Sequence, residues 1–250
     1  MSTYFNEGVK VNILYIFPHP DDESFGAASA IHRQIEDGHA VHLLTLTKGG
    51  ATQQRHKLGL SVGEMGEVRY NEMLNVEKVL GLSSMTVLDF PDSGLKELDP
   101  RVLEVAVNMH IKQIKPAVVI TYPVHGISGF HDHLVAHAVV KRVYMELRDQ
   151  REEYLKRLAF MTLEDSGAPS WTPEGPRLKH TEKGLIDCIV PLQLSDIQAM
   201  KDALACYATY KDTIEKSGII EKVGEALAFE IFGEDFNPPL VNICDNLPVD

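Results

Sequence analysis

Four apolar runs, each followed by a polar loop and then by a segment of helical spacing, limit what this chain can fold into. The runs are residues 11–17, 40–47, 85–90 and 117–123. They are rich in Val, Ile, Leu, Thr and aromatic residues, which suit a pleated and buried surface. Between them lie segments with helical spacing. Residues 25–37 carry Phe25, Ala28, Ile31 and Ile35 on one face, and Gly38 follows as a stop. Residues 64–80 offer Val68, Met73, Val76, Val79 and Leu80 for burial, and Gly81 closes that segment. Residues 100–115 begin with Asp99-Pro100, a proline at the first helical position. Strand and helix alternate, which gives a mainly parallel sheet flanked by helices and joined by right-handed crossovers. The 117–123 run is nearly all apolar, as expected of a strand covered on both faces.

In such sheets ligands bind beyond the carboxyl ends of the strands. The loop after the first run, Phe17-Pro18-His19-Pro20-Asp21-Asp22-Glu23, lies there. Its prolines end the strand and restrict the backbone. His19, Asp21 and Asp22 are metal-capable, and one imidazole with one carboxylate can begin a divalent site while a second carboxylate works on water. The plainer reading is an acidic helix start that complements the helix dipole. After the fourth run, four of the chain's 11 histidines (His125, His131, His133 and His137) fall within 13 residues. A cluster at a second strand end can complete what His19 and Asp22 begin. His133 and His137 stand four apart on the following helix and can share a face. The metalloprotease pattern H-E-x-x-H is absent, and so is G-x-G-x-x-G after the first strand. Asp132 is placed to cap that helix or to hold an imidazole.

Residues 48–63, with four glycines, read as a long loop over the same edge. Asp92, in the turn 91–94, ends the third strand. Arg69 offers either a contact for an anionic substrate or a solvated helix charge.

At 250 residues the chain is expected to form one domain, 1–250, with a less typical part from about 160. The net charge of −12 excludes a general nucleic-acid binder. The scattered cysteines Cys188, Cys206 and Cys244 fit reduced thiols. No basic, apolar leader opens the chain and no run of 18 apolar residues occurs, so it is read as cytoplasmic with no membrane partner. In the last third, residues 158–163 and 186–192 read as strands, and 195–217 as one helix with Ser195 as its cap and Ile197, Met200, Leu204 and Tyr207 as a core stripe. Residues 226–232 form a helix or a strand, a Pro/Gly-rich loop carries Trp171, and 233–250 read as a tail or an oligomer contact.

His19-Pro20-Asp21-Asp22-Glu23 after a strand, followed by Gly126-x-Ser128-Gly129-x-x-Asp132-His133-x-x-x-His137, resembles the PIG-L/LmbE family of zinc-dependent N-deacetylases. Thr47-Lys48-Gly49-Gly50, Arg69-x-x-Glu72 and Phe90-Pro91-Asp92-x-Gly94-Leu95 agree. The resemblance covers residues 11–140 and continues weakly through 186–209. It implies a Rossmann-like α/β fold and a metal site of His19, Asp22 and His133 holding Zn2+, with Fe2+ as the alternative. It further implies Asp21 as general base, an N-acetylglucosamine-type small-molecule substrate, and a homo-oligomer. The family's oxyanion histidine falls on Phe130 here. The role then passes to His131 in a shifted loop or to His125, or the step is weakened. Catalytic expectations therefore rest on Asp21, His131 and Asp132, and substrate contacts on Arg69, Asp92 and His125. Tyr207 and Tyr210 occupy places where the family often has histidine and glutamine, which sets this chain's substrate apart. Two other readings stand beside the deacetylase: a metal-dependent phosphoesterase, and an amino-sugar-binding protein with impaired catalysis.

Overall fold

The structure is a computed structural model and describes residues 10–165, 178–222 and 224–248. The first strand, β1 (Asn12–Phe17), runs through a bend at Glu23–Ala27 into α1 (Ala28–Glu36). Then come β2 (Ala40–Thr47), α2 (Gln54–Leu58), α3 (Val62–Leu80), β3 (Ser84–Phe90), α4 (Pro100–Ile114), β4 (Val118–Thr121) and α5 (His131–Asp149). The chain continues through β5 (Arg157–Thr162), β6 (Cys188–Pro191), α6 (Leu194–Ala205), α7 (Lys211–Ser217) and β7 (Ala226–Ile231). Seven strands form one sheet in the order β3-β2-β1-β4-β5-β7-β6. Strands β1 to β5 are parallel, and β7 runs antiparallel between β5 and β6.

The period of two in β1 sorts its residues between two cores. Ile13, Tyr15 and Phe17 pack with Ala28, Ile31, Met200 and Ala203 under α1 and α6. Leu14 and Ile16 pack with Leu103, Val107, Val140 and Val143 under α4 and α5. Both faces of the sheet are covered, which is why its central strands read as unbroken apolar runs. From β1 the chain winds outward to β2 and β3, then returns to place β4 on the other side of β1. The reversal leaves a crevice between the ends of β1 and β4, the place where open α/β sheets bind ligands.

The structure corrects four local expectations. The loop 48–63 contains α2, and α3 starts at Val62, before the expected 64, because Ser61 and Glu64 close a capping box (Ser61 N–H to Glu64 Oε2, 2.9 Å). Val79 is exposed, and Met65, Arg69 and Glu72 take the buried positions of that helix. The expected helix 195–217 is broken: α6 ends at Ala205, a 3-10 turn spans Ala208–Tyr210, and α7 follows. Its cap is Gln193, whose N–H meets Asp196 Oδ2 at 2.7 Å, and Ser195 is exposed. An apolar stripe of period 3.6 runs unbroken through the break, so the pattern alone hides it. Residues 1–9 and Trp171 with its loop lie outside the described residues. Among the described residues, no helix is long and apolar enough to cross a membrane.

The segment after β7 is part of the fold and no loose tail. Leu240 bridges to Cys188, and Ile243 and Leu247 enter the core beneath α1 and α6. Arg157, fully buried in β5, pairs with Glu234 (2.8 Å) and donates to the carbonyls of Ile243 (2.5 Å) and Asp245 (2.8 Å). A guanidinium in that position brings several donors to buried acceptors at once, which an apolar side chain could not do. Arg157→Met should therefore cost about 3 kcal/mol or more. The expected fall in Tm is roughly 6–12 °C. A thermal scan showing a shift below about 2 °C would mean that the C-terminal segment is held by other means.

Candidate metal centre

The loop from Pro18 to Asp22 turns tightly at the end of β1. His19 N–H donates to Asp22 Oδ2 at 2.8 Å, so the loop's own carboxylate closes it. Asp21 lies at φ +86°, a left-handed conformation that costs a non-glycine residue about 1–3 kcal/mol. Neighbouring groups hold each of its polar handles. Its N–H donates to Tyr207 Oη (2.9 Å), its carbonyl accepts from the N–H groups of Ser24 and Phe25, and its carboxylate accepts from Arg69 Nη2 (2.9 Å). Gly49 is required beside this turn. A Cβ there would stand 2.8 Å from Arg69 Nε and 2.9 Å from Pro20 Cδ.

From the other side, α5 delivers His133. Its Nδ1–H donates to the Gly126 carbonyl at 2.9 Å, and its ring stacks on Tyr122 at 4.1 Å. That bond fixes the tautomer and leaves Nε2 facing Asp22 Oδ1 at 3.3 Å. His19 uses Nε2–H toward Asp132 Oδ2 (3.1 Å) and Asp92 Oδ1 (3.3 Å), which leaves Nδ1 facing Asp22 Oδ2 at 3.5 Å. Ligand atoms of His19, Asp22 and His133 all lie within 4.8 Å of one another. In their neutral forms the two ring nitrogens present lone pairs to one buried carboxylate, an arrangement satisfied by a proton or a cation between them. Two imidazoles and a carboxylate, with outer carboxylates behind one imidazole, suit a divalent ion. A second combination, His19, Asp92 and Asp132, also meets the distance criterion. Asp132 and Asp92 there are already engaged by backbone N–H groups: Ser93 (2.8 Å) to Asp132 and Ala51 (2.7 Å) to Asp92.

The protonation equilibria express the same demand. Burial works against charge on His19, yet Asp132 and Asp22 outweigh it and push the imidazole up to about 10. Burial also opposes charge on Asp22, and His133 and His19 more than offset it, holding that carboxyl well below the usual range. Asp21 is pushed up to about 6 by burial, with Arg69 pulling the other way. Glu23 is pushed up to about 7, again by burial.

The candidates from sequence distribute as follows. His19, Asp22 and His133 converge, with Asp21 next to them. Asp132 does not cap α5, which begins without a side-chain cap, and its carboxylate holds His19 and the N–H groups of Ser93 and Leu95. Asp92 reaches the same imidazole. Arg69 is 1% exposed, so it is no solvated charge, and its guanidinium faces Asp21 and Pro20 O in place of an open cleft. His125 is drawn to the opposite side of its loop, where Nδ1 accepts from Ile127 N–H (3.1 Å) and Nε2–H meets Thr181 Oγ1 (3.2 Å). His137 turns to the Tyr122 carbonyl (2.9 Å) and does not join the cluster. His131 is exposed at the first residue of α5, beside Phe130, which is 55% exposed with its ring perpendicular to that of His133. Sequence reading passed over Tyr122, whose hydroxyl donates to Asp22 Oδ1 at 2.7 Å, and Glu23, which accepts from Tyr207 at 2.7 Å. A tyrosine closing an otherwise aliphatic strand was the available signal for the first.

Comparison with known proteins gives this geometry its relatives. The family described as PIG-L: GlcNAc-PI de-N-acetylase matches residues 14–144, just over half of the chain. The chain is 29% identical over 216 residues to a 1D-myo-inositol 2-acetamido-2-deoxy-alpha-D-glucopyranoside deacetylase of Kineococcus radiotolerans, covering 66% of this chain and 59% of that one. It is 27% identical over 152 residues to a protein of Bacillus subtilis named probable N-acetyl-alpha-D-glucosaminyl L-malate deacetylase 2, covering 57% and 65%. The chain thus spans less than two thirds of the length of these relatives. Among solved structures, the fold is shared with a deacetylase of teicoplanin biosynthesis (TM-score 0.69, 14% identity, 88% and 97% covered). It is shared as well with the N,N'-diacetylchitobiose deacetylase of Pyrococcus horikoshii (0.61, 16%, 88% and 83%) and with the 4-carboxy-2-hydroxymuconate hydratase GalB of Pseudomonas putida KT2440 (0.64, 15%, 91% and 98%). With its Pro-Asp-Asp loop and its histidine helix meeting at the crevice of a Rossmann-like sheet, this chain belongs to the PIG-L family of de-N-acetylases.

Proposed function

We propose that this protein is a metal-dependent hydrolase that removes the N-acetyl group from an N-acetylglucosamine-type conjugate, giving acetate and a free amine. The observation that carries this reading is the convergence of His19, Asp22 and His133 with Asp21 beside them. Relatives named for deacetylation of glucosaminyl conjugates support the substrate class. Zinc is the proposed occupant, and Fe2+ is the alternative for the same donor set. When bound, the ion supplies Lewis acidity toward an amide carbonyl and toward water.

The chain's own residues do the rest. Asp21 accepts the proton of the attacking water and returns it to the departing amine. Burial lifts its carboxyl toward neutrality without neutralising it at pH 7, which suits a group that must both take and give a proton. Arg69 anchors that carboxylate from behind. Asp132 and Asp92 orient the His19 ring. A phenyl ring at 130 cannot donate a hydrogen bond, and the Nε2–H of His125 is spent on Thr181. Oxyanion stabilisation is therefore assigned to His131. The proposed single domain acts as a homo-oligomer in the cytoplasm, a location that the free thiols of Cys188, Cys206 and Cys244 favour.

Elemental analysis should find about one zinc or iron per chain, and Asp22→Ala should lose it. Near two metals per chain would favour a phosphoesterase. Asp21→Asn should keep the metal and lower kcat by about 10²–10⁴-fold in an amine-release assay on N-acetylglucosamine conjugates. His131→Ala should lower kcat by about 10²-fold with metal retained. Unchanged turnover would return the oxyanion role to another group. A metal-loaded wild type that releases no amine from any such conjugate sinks the deacetylase reading. Since a hydratase shares the fold, that result would direct the search to other water chemistry.

A further inference from the structure

We propose that Tyr207 is a positioning residue that fixes the backbone of Asp21 and so aims the general base. Asp21 lies in the left-handed region at φ +86°, which a residue with a Cβ adopts only when its surroundings impose it. Its carbonyl is held by the following turn, through Ser24 and Phe25. Its carboxylate and the preceding carbonyl, of Pro20, are held by Arg69. The remaining handle is the N–H, and its partner is the hydroxyl of Tyr207 at 2.9 Å, 186 residues further along the chain. That hydroxyl is itself oriented. It donates its proton to Glu23 Oε1 at 2.7 Å, which directs a lone pair to the Asp21 N–H. Glu23 is fully buried, and Ser24 Oγ–H donates to the same oxygen at 2.6 Å.

Tyr207 meets this loop because the helical register breaks. The chain leaves helix after Ala205, and Thr209 is captured by Glu72 of α3 through both its N–H and its hydroxyl at 2.8 Å each. The break turns the Tyr207 ring toward Arg69, whose guanidinium carbon lies 5.5 Å from that ring and 3.8 Å from the ring of Tyr210. Arg69 and Tyr207 thus grip Asp21 from its two ends while the tyrosines cover the arginine. This assignment gives Tyr207, which stands where the resembled family often has histidine, a task in the reaction beyond packing. Its kinetic arm rests on the deacetylase reading, and its physical arm does not.

The test compares wild type, Tyr207→Phe and Tyr15→Phe. Tyr207→Phe keeps the ring and removes the hydroxyl. Tyr15→Phe removes another buried tyrosine hydroxyl on the same core, one that bonds Gln34 at 3.1 Å, and reports the effect of a lost buried hydrogen bond alone. Three quantities are read: amide hydrogen exchange at Asp21, zinc bound per chain, and kcat and KM for amine release. In Tyr207→Phe, exchange at Asp21 should rise about tenfold or more relative to the amides of β2 and β4. Zinc content should stay at the wild-type level. The value of kcat should fall about 10–100-fold while KM changes less than about twofold, as expected for a misaimed catalytic group. Tyr15→Phe should leave all three unchanged. Retained protection at Asp21, or an unchanged kcat per zinc-loaded chain, overturns the proposal. Loss of zinc from Tyr207→Phe also overturns it, because the tyrosine would then be holding the metal loop as a whole. If the wild type releases no amine, the deacetylase reading fails, and the exchange and zinc measurements still decide whether Tyr207 holds Asp21.

Discussion

A buried carboxylate must be paired, and the pairing of Asp22 joins the two halves of this site. Its oxygens receive the His19 N–H from their own loop, the Tyr122 hydroxyl from the residue after β4, and the approach of His133 from α5. Tyr122 and His133 come from another part of the chain than Asp22, and neither could arrive unless β4 lay against β1. Strand order is thus a condition for the electrostatics. The dependence also runs the other way. An Asp22 without these partners would carry a desolvation cost of several kcal/mol into the edge of the sheet. The negative charge left over after these bonds suits a cation between the two imidazoles.

Much of this was legible in the sequence because two short patterns each ended a strand. The apolar runs gave β1 to β4 to within two residues at each end, and the order of alternation implied the crevice. His19 and Asp22 were legible for the same reason, since they fall at a strand end, whereas His133 stood out from the four clustered histidines only through the resemblance to the family. Other features depend on where a side chain points, and a linear pattern does not encode that. His137 has the right spacing from His133, but its Nδ1–H is claimed by the Tyr122 carbonyl. Arg69 looks like any helix charge until Pro20 and Asp21 are folded against it. Tyr207 continues an apolar stripe, and only the interruption after Ala205 shows that its hydroxyl serves the loop.

The region matched by the family ends at residue 144, yet the structure does not divide there. β5 continues the parallel sheet, and β7 and β6 extend it antiparallel. Arg157 binds the final segment to β5, and α6 packs against α1 and α3. The position of the 206–210 segment therefore depends on both parts of the chain: α6 leads into it, and Glu72 of α3 holds Thr209.

That segment closes a circuit of interactions around Asp21. Glu72 holds Thr209, Tyr210 and Tyr207 cover Arg69, Arg69 holds the carboxylate, and Tyr207 holds the backbone N–H. A carboxylate that takes a proton and returns it, the role proposed for Asp21, cannot swing freely, because a displacement of about 1 Å costs on the order of 10²-fold in rate. Nor can it be locked by an ion pair alone, since Arg69 by itself would favour the ionised form throughout the cycle. Splitting the restraint between an arginine on the side chain and a tyrosine on the backbone separates the two demands. The arginine sets part of the charge, and the tyrosine sets the direction. The residues proposed to hold the ion come from the strongly patterned first half and middle of the chain, whereas the proposed positioning of Asp21 draws on Tyr207 in the less typical last third. On the proposed reading, Tyr207 and Tyr210 bear on how Asp21 is aimed, while the set of side chains that could hold an ion lies elsewhere, in His19, Asp22 and His133.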